Sequence, residues 1–291
     1  MSSTTTDPAR SSRTSRRWWV LGLLVLLLAV VGGLVWYLGR DTPGAVDTQA
    51  AIDAATADDA ATEDDAAAVE SDDSEGGGTT SEEAATDADD EVADDDRQTA
   101  VGADDLSGAY VVDRDAVAYD FDAGTGSFVG FRIDEELSTV GATTAVGRTP
   151  EVDGTVVLDG TELVEAVLTG DLTALRTDIS QRDNRVQGAL DTATHPTTTF
   201  ELTEPVDLGA IPPVGEQVSA TAVGELTLHG VTRPVTVPLE AVVLSGASAL
   251  LVTGSFEIDL ADHDIVAPSA PIVVSVADTG TVELQLYLAP A

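Results

Sequence analysis

The stretch Val223–Val235, VGELTLHGVTRPV, decides how the chain folds. Leu226 and Leu228 alternate with Glu225 and Thr227, the period of two that marks a strand with one buried face. The run then breaks at His229-Gly230 and resumes as Val-Thr-Arg-Pro-Val. This reads as a tight hairpin connection in which Gly230 takes positive φ and Pro234 sits near a strand start or edge. Working outward, the same pattern, rich in Val, Thr and Leu and bounded by Gly, Pro and Asp, recurs from Leu106 to Ala291. It predicts strands over Ala109–Ala118, Gly126–Ile133, Gly154–Leu158, Glu162–Asp171, Thr197–Leu202, Gln217–Leu228, Thr232–Leu244, Leu250–Asp259, Ile272–Val276 and Thr281–Leu288. Only Ser180–Leu190, SQRDNRVQGAL, reads as helix. Many successive strands joined by short turns mean an all-β antiparallel barrel or sandwich. No internal repeat is visible.

The remaining 105 residues differ from this domain in kind. Trp18 to Leu38, WWVLGLLVLLLAVVGGLVWYL, carries no charge over 21 residues. At about 1.5 Å per helical residue it spans roughly 30 Å, the hydrocarbon thickness of a bilayer. Trp18, Trp19, Trp36 and Tyr37 stand at its two ends, where aromatic rings prefer the interface. Arg10, Arg13, Arg16 and Arg17 precede it and acidic residues follow, so residues 1–17 are expected in the cytoplasm and the C-terminal domain outside. The run is too long for a signal-peptide core and lacks a small-residue exit, so it is expected to remain as an anchor. Residues 39–105 form an acidic segment. From Asp41 to Asp105 there are 23 Asp and Glu, one Arg and no aromatics. Such a chain cannot bury enough apolar area to offset its ordering entropy, so a disordered stalk is expected.

Overall the 291 residues hold 52 acidic side chains against 13 basic, all Arg, for a net charge of -39. That surface repels phosphates, which argues against a nucleic-acid partner. The absence of Cys removes disulfides, thiolate catalysis and cysteine metal sites. The three His, at 195, 229 and 263, fit no zinc spacing. There is no G-x-S-x-G elbow, and Gly124–Gly126 has no helix after it to form a phosphate loop. Asp259, Asp262 and Asp264 form either a carboxylate pair or an exposed turn. No catalytic residue, metal site or cofactor is assigned.

Several segments together carry a family resemblance: Tyr110; Ser127 with Phe131; Arg182 with Asp183 opening the short helix; His195, Pro196 and Phe200; and Gly224 through Pro234. In this order, over Leu106 to Ala291, they resemble the YceI-like family. Two departures bear on pocket shape: Ala189-Leu190 stands where the family usually has Phe-Phe, and the opening strand lacks a tryptophan-like aromatic. The resemblance implies an eight-stranded, lipocalin-like antiparallel barrel with a short helix, enclosing an apolar tunnel for a polyisoprenoid or quinone-type lipid. Phe128, Phe131 and Phe200 are the expected lining. Arg182, Asp183, His195, His229 and Arg233 are expected to close or brace the barrel. The expected function is non-enzymatic lipid binding at the outer face of the cytoplasmic membrane. The competing readings are a stalked interaction domain with a filled core, and an enzyme built around the histidines.

Overall fold

A computed structural model describes residues 42–57, 106–245 and 250–291. The expected cytoplasmic tail (1–17), the anchor (18–38) and residues 58–105 of the acidic segment lie outside the described residues. Among the described residues no helix is long and apolar enough to cross a membrane.

The described residues form thirteen strands: β1 Gly108–Val112, β2 Phe128–Leu137, β3 Gly141–Thr149, β4 Val152–Asp159, β5 Glu162–Asp171, β6 Arg176–Thr177, β7 Thr197–Leu202, β8 Val206–Asp207, β9 Gln217–Leu228, β10 Val231–Val243, β11 Leu250–Asp259, β12 Val273–Val276 and β13 Thr279–Pro290. Helix α1 covers residues 48–57 and α2 covers Ser180–Ala189. Register reduces the main strands to eight staves. β1 pairs β13 from Tyr110↔Pro290 to Val112↔Leu288, and β2 continues along the same strand from Phe128↔Gln285 to Arg132↔Thr281. The two are one stave interrupted by the loop 113–127. β3 and β4 likewise pair β2 and β1 in turn, broken only at Pro150-Glu151. With β5, β7, β9, β10, β11 and β13 the ring closes as an all-antiparallel, eight-stranded barrel, which leaves no open sheet edge.

The hairpin that anchored the sequence reading pairs Leu228 with Val231, and His229 (φ 53°) and Gly230 (φ 75°) form its two-residue turn. Positive φ at both positions is the type I′ geometry whose twist matches the strands. A Cβ on Gly230 would lie 2.4 Å from the His195 ring, so glycine is required there on two counts.

Three differences from the sequence reading have physical causes. The first strand ends at Val112 rather than Ala118, because the Asp113 carboxylate accepts from the Asp115 and Ala116 amides (2.9 and 3.0 Å) and turns the chain. Strand β3, GATTAVGRT, was not anticipated; from Ala145 to Thr149 every residue is buried, so no alternation marks it. Finally, the acidic segment is not disordered throughout. Residues 42–57 lie on the outer wall of the barrel. Asp47 caps α1 by accepting from the Ala50 amide (2.9 Å), while Ala51 is buried with Val117, Val242, Leu251 and Tyr287. Small apolar side chains placed between the acids supply a docking face that average composition conceals.

Candidate functional site

Inside the barrel lies an elongated cavity of about 320 Å³. Its wall is almost wholly apolar: Val129, Leu168, Ala222, Val237, Val252, Leu284 and Leu286 come from six different strands. The interior is therefore not filled by side chains. At one end Leu106, Leu158, Leu163 and Val206 pack together and shut it. At the other, exposed lining residues occur on α2 (Gln181, Arg185) and on the segment 264–276 (Ile272), so the mouth opens there.

Phe131 and Phe200 line the cavity, and each lies against a glycine of a neighbouring strand. A Cβ on Gly147 would stand 2.3 Å from the Phe131 ring, and one on Gly224 would stand 2.5 Å from the Phe200 ring. The rings lie flat on the wall in the space that two missing side chains leave, which keeps the lumen open. Phe128 does not line it. Side chains of one strand alternate between faces, so Phe128 and Phe131, three apart, point oppositely. Phe128 lies fully buried on the outer side, with the Arg148 guanidinium 4.6 Å from its ring centre and Tyr119 edge-on to it.

Polar chemistry gathers at the mouth. Arg182 reaches from α2 to pair with Glu135 of β2 and with Asp178 (2.5 Å). Burial pushes the Glu135 carboxyl above its usual range, with Arg182 opposing the shift and Asp178 adding to it. Asp183, one residue on, makes no ion pair among the described residues. Its carboxylate accepts from the Thr177 amide (2.8 Å) and hydroxyl (2.7 Å), fastening α2 to β6. Arg233 is exposed on β10. His195 and His229 stack edge to face at 5.5 Å, and His229 Nδ1 bonds the His263 carbonyl (2.9 Å). Buried His263 bonds the Val231 carbonyl through Nδ1 (3.2 Å). The histidines thus meet at the β9–β10 turn, each held by backbone or ring contacts. No cluster of three or more metal-ligating side chains occurs among the described residues. Asp259, Asp262 and Asp264 belong to a single-turn 3₁₀ helix, Leu260–His263, and its flanks, with Asp264 left-handed (φ 55°).

The opposite wall carries buried charge that no single segment of the sequence reveals. Arg148 and Glu283, each 1 % exposed, lie 3.6 Å apart on the outer face. Arg132 stands 3.8 Å from the same carboxylate. The docked segment covers them. Arg132 donates to the Pro43 carbonyl (2.8 Å), Arg148 to the Gly44 carbonyl (2.5 Å), and the Val46 amide to Glu283 (3.3 Å). Thr48 bonds Thr253 (2.7 Å) and Glu240, and the Tyr287 hydroxyl donates to the Ala51 carbonyl (2.8 Å).

Among solved structures, the chain is similar to a polyisoprenoid binding domain from Saccharophagus degradans implicated in plant cell wall breakdown (23% identity; 62% of this chain and 98% of that one; TM-score 0.49). It is also similar to BcnA of Burkholderia cenocepacia (21% identity; 56% and 96%; TM-score 0.42) and to a YceI protein of Campylobacter jejuni (18% identity; 50% and 84%; TM-score 0.40). No curated protein matches the chain. The sequence pattern of the YceI-like domain matches residues 119–288, more than half of the chain, and the chain belongs to the YceI-like family.

Proposed function

We propose that this protein binds a long-chain isoprenoid or related lipid inside the barrel, without catalysis, while residues 18–38 tether it to the outer face of the cytoplasmic membrane. The observation that carries the binding reading is the open apolar cavity, closed at one end and reached from the other. Apolar surface of this extent gains free energy by taking up a hydrocarbon chain, about 0.8 kcal/mol per buried CH₂, so shape and chain ordering rather than driving force set affinity. At about 30 Å³ per water-sized group, the space takes on the order of 10 carbon-sized groups. A longer chain leaves its remainder at the mouth, beside Gln181 and Arg185. The tether rests on the length, aromatic ends and Arg flank of residues 18–38.

Native mass spectrometry of the full chain in detergent tests this, followed by organic extraction. A co-purifying isoprenoid of defined mass is expected. A bare mass that stays unchanged after incubation with quinones and polyprenyl lipids would refute the binding reading.

A further inference from the structure

The segment 264–276 passes over the mouth with apolar residues on both of its sides. Ile265, Ala267, Val273 and Val276 turn toward the cavity, which accounts for one side. On the other, Val266 is 81 % and Val274 60 % exposed, while Ile272, at the edge of the cavity lining, is 52 % exposed. The β2–β3 turn adds Val140, 46 % exposed, beside Ile272 through the Ser138 amide bonded to its carbonyl (2.8 Å). A mouth needs one apolar face to receive a lipid; the second is exposed among the described residues.

A separate observation says what covers it. The docked segment descends β13 in order: Pro43 at Arg132, opposite Thr281; Val46 at Glu283; Thr48 at Thr253, opposite Gln285; Ala51 at Tyr287. Thr281 lies toward the mouth and Tyr287 toward the closed end, so the docked segment begins on the mouth side. Only Gly39, Arg40 and Asp41 separate Thr42 from Leu38, a reach of at most about 14 Å. From Arg132 to the end of β2 at Leu137 is about 17 Å. By chain length alone, a plane that holds Leu38 can therefore also hold the rim.

We infer that the rim Val140, Val266, Ile272 and Val274 seats on the surface of the same bilayer that residues 18–38 cross, so that the cavity opens onto the lipid it draws from. This rests on the tether proposed above. The bilayer face is uncharged overall, since Glu136, Asp262 and Asp264 flank the rim and the chain carries -39.

The chain has no Cys, so single labels are direct. Full-length Val266→Cys, Val274→Cys and, on the loop before β9, Val214→Cys would carry a nitrobenzoxadiazole probe in phosphatidylcholine vesicles containing a nitroxide lipid. The rim probes are expected to shift to the blue and to be quenched several-fold more than the probe at 214. Equal quenching, or stronger quenching at 214, overturns the inference while leaving the tether intact. A chain that does not float with the vesicles overturns the tether and the seating together; the cavity's ligand is read separately from the mass spectrum.

Discussion

Strand β13 has two faces, both buried, built on opposite principles. Leu284, Leu286 and Leu288 face inward and meet only hydrocarbon and open space. Glu283, Gln285 and Tyr287 face outward and are as deeply buried, at 1 %, 1 % and 0 % exposure. Their burial comes from residues 42–57 and the loop 113–127, which supply backbone partners: Gln285 donates to the Gly124 and Gly126 carbonyls (3.1 and 2.9 Å), Tyr287 to the Ala51 carbonyl, and the Val46 amide to one oxygen of Glu283, whose other oxygen has only the Arg148 ion pair. The inner face needs no directional partner, and a cavity is tolerated there because the lining is apolar. The outer face must match every donor and acceptor, and leaving one unmatched is costly. One face is thereby free to hold a ligand, and the other is committed to holding the chain together.

The largest effect that would break this contrast is on the outer pair. Arg148→Met removes the nearer of the two cations beside buried Glu283 and leaves the Gly44 and Phe121 carbonyls without its donors, and should cost about 3–5 kcal/mol in chemical denaturation. A loss below about 1 kcal/mol would mean that the pair is not held as described. Alkaline titration comes next. Burial pushes the Tyr287 and Tyr119 phenols from 10.0 up to about 12. A folded-state value above the unfolded one means that the stabilisation is intact below pH 10 and disappears as pH rises from 10 to 12, by about 1.4 kcal/mol per unit for each group. Phenolate absorbance should therefore appear together with unfolding, and Tyr287→Phe should soften the alkaline slope while costing about 1 kcal/mol at neutral pH. Ala51→Leu overfills the contact beneath α1 and should cost about 1–3 kcal/mol, with protease cleavage appearing near residue 51. Smallest in stability are inward changes. Phe200→Leu should cost less than about 1.5 kcal/mol yet change the mass or amount of lipid retained, whereas an unchanged lipid complement would detach Phe200 from the site.

The barrel was legible where one face alone is buried. β5, β7, β9 and β11 fall at the expected limits because polar and apolar residues alternate there. Alternation is lost at β3, where an ordered outer cover buries both faces, and Phe128 faces outward although its aromatic ring suggests the lining. Parity alone would have placed Phe128 outside. The glycines beneath Phe131 and Phe200 were visible in the sequence, but their pairing with those rings depends on register. Of the expected braces, Arg182 reaches Glu135 only because α2 lies across the mouth, and the three histidines meet only because the β9–β10 turn and the 3₁₀ helix are brought together.

By itself the sequence determined the all-β antiparallel class of the domain, the tight hairpin at His229-Gly230 and the contrast between an apolar run, an acidic run and a β domain. These follow from local rules: alternation, turn sterics and charge density act over a few residues. Tertiary structure alone decided that the interior stays open, which end is the mouth, and that residues 42–57 close over the Arg148–Glu283 pair. Each of those depends on partners on different strands or segments, whose meeting is set by register and closure of the ring and not by any local preference.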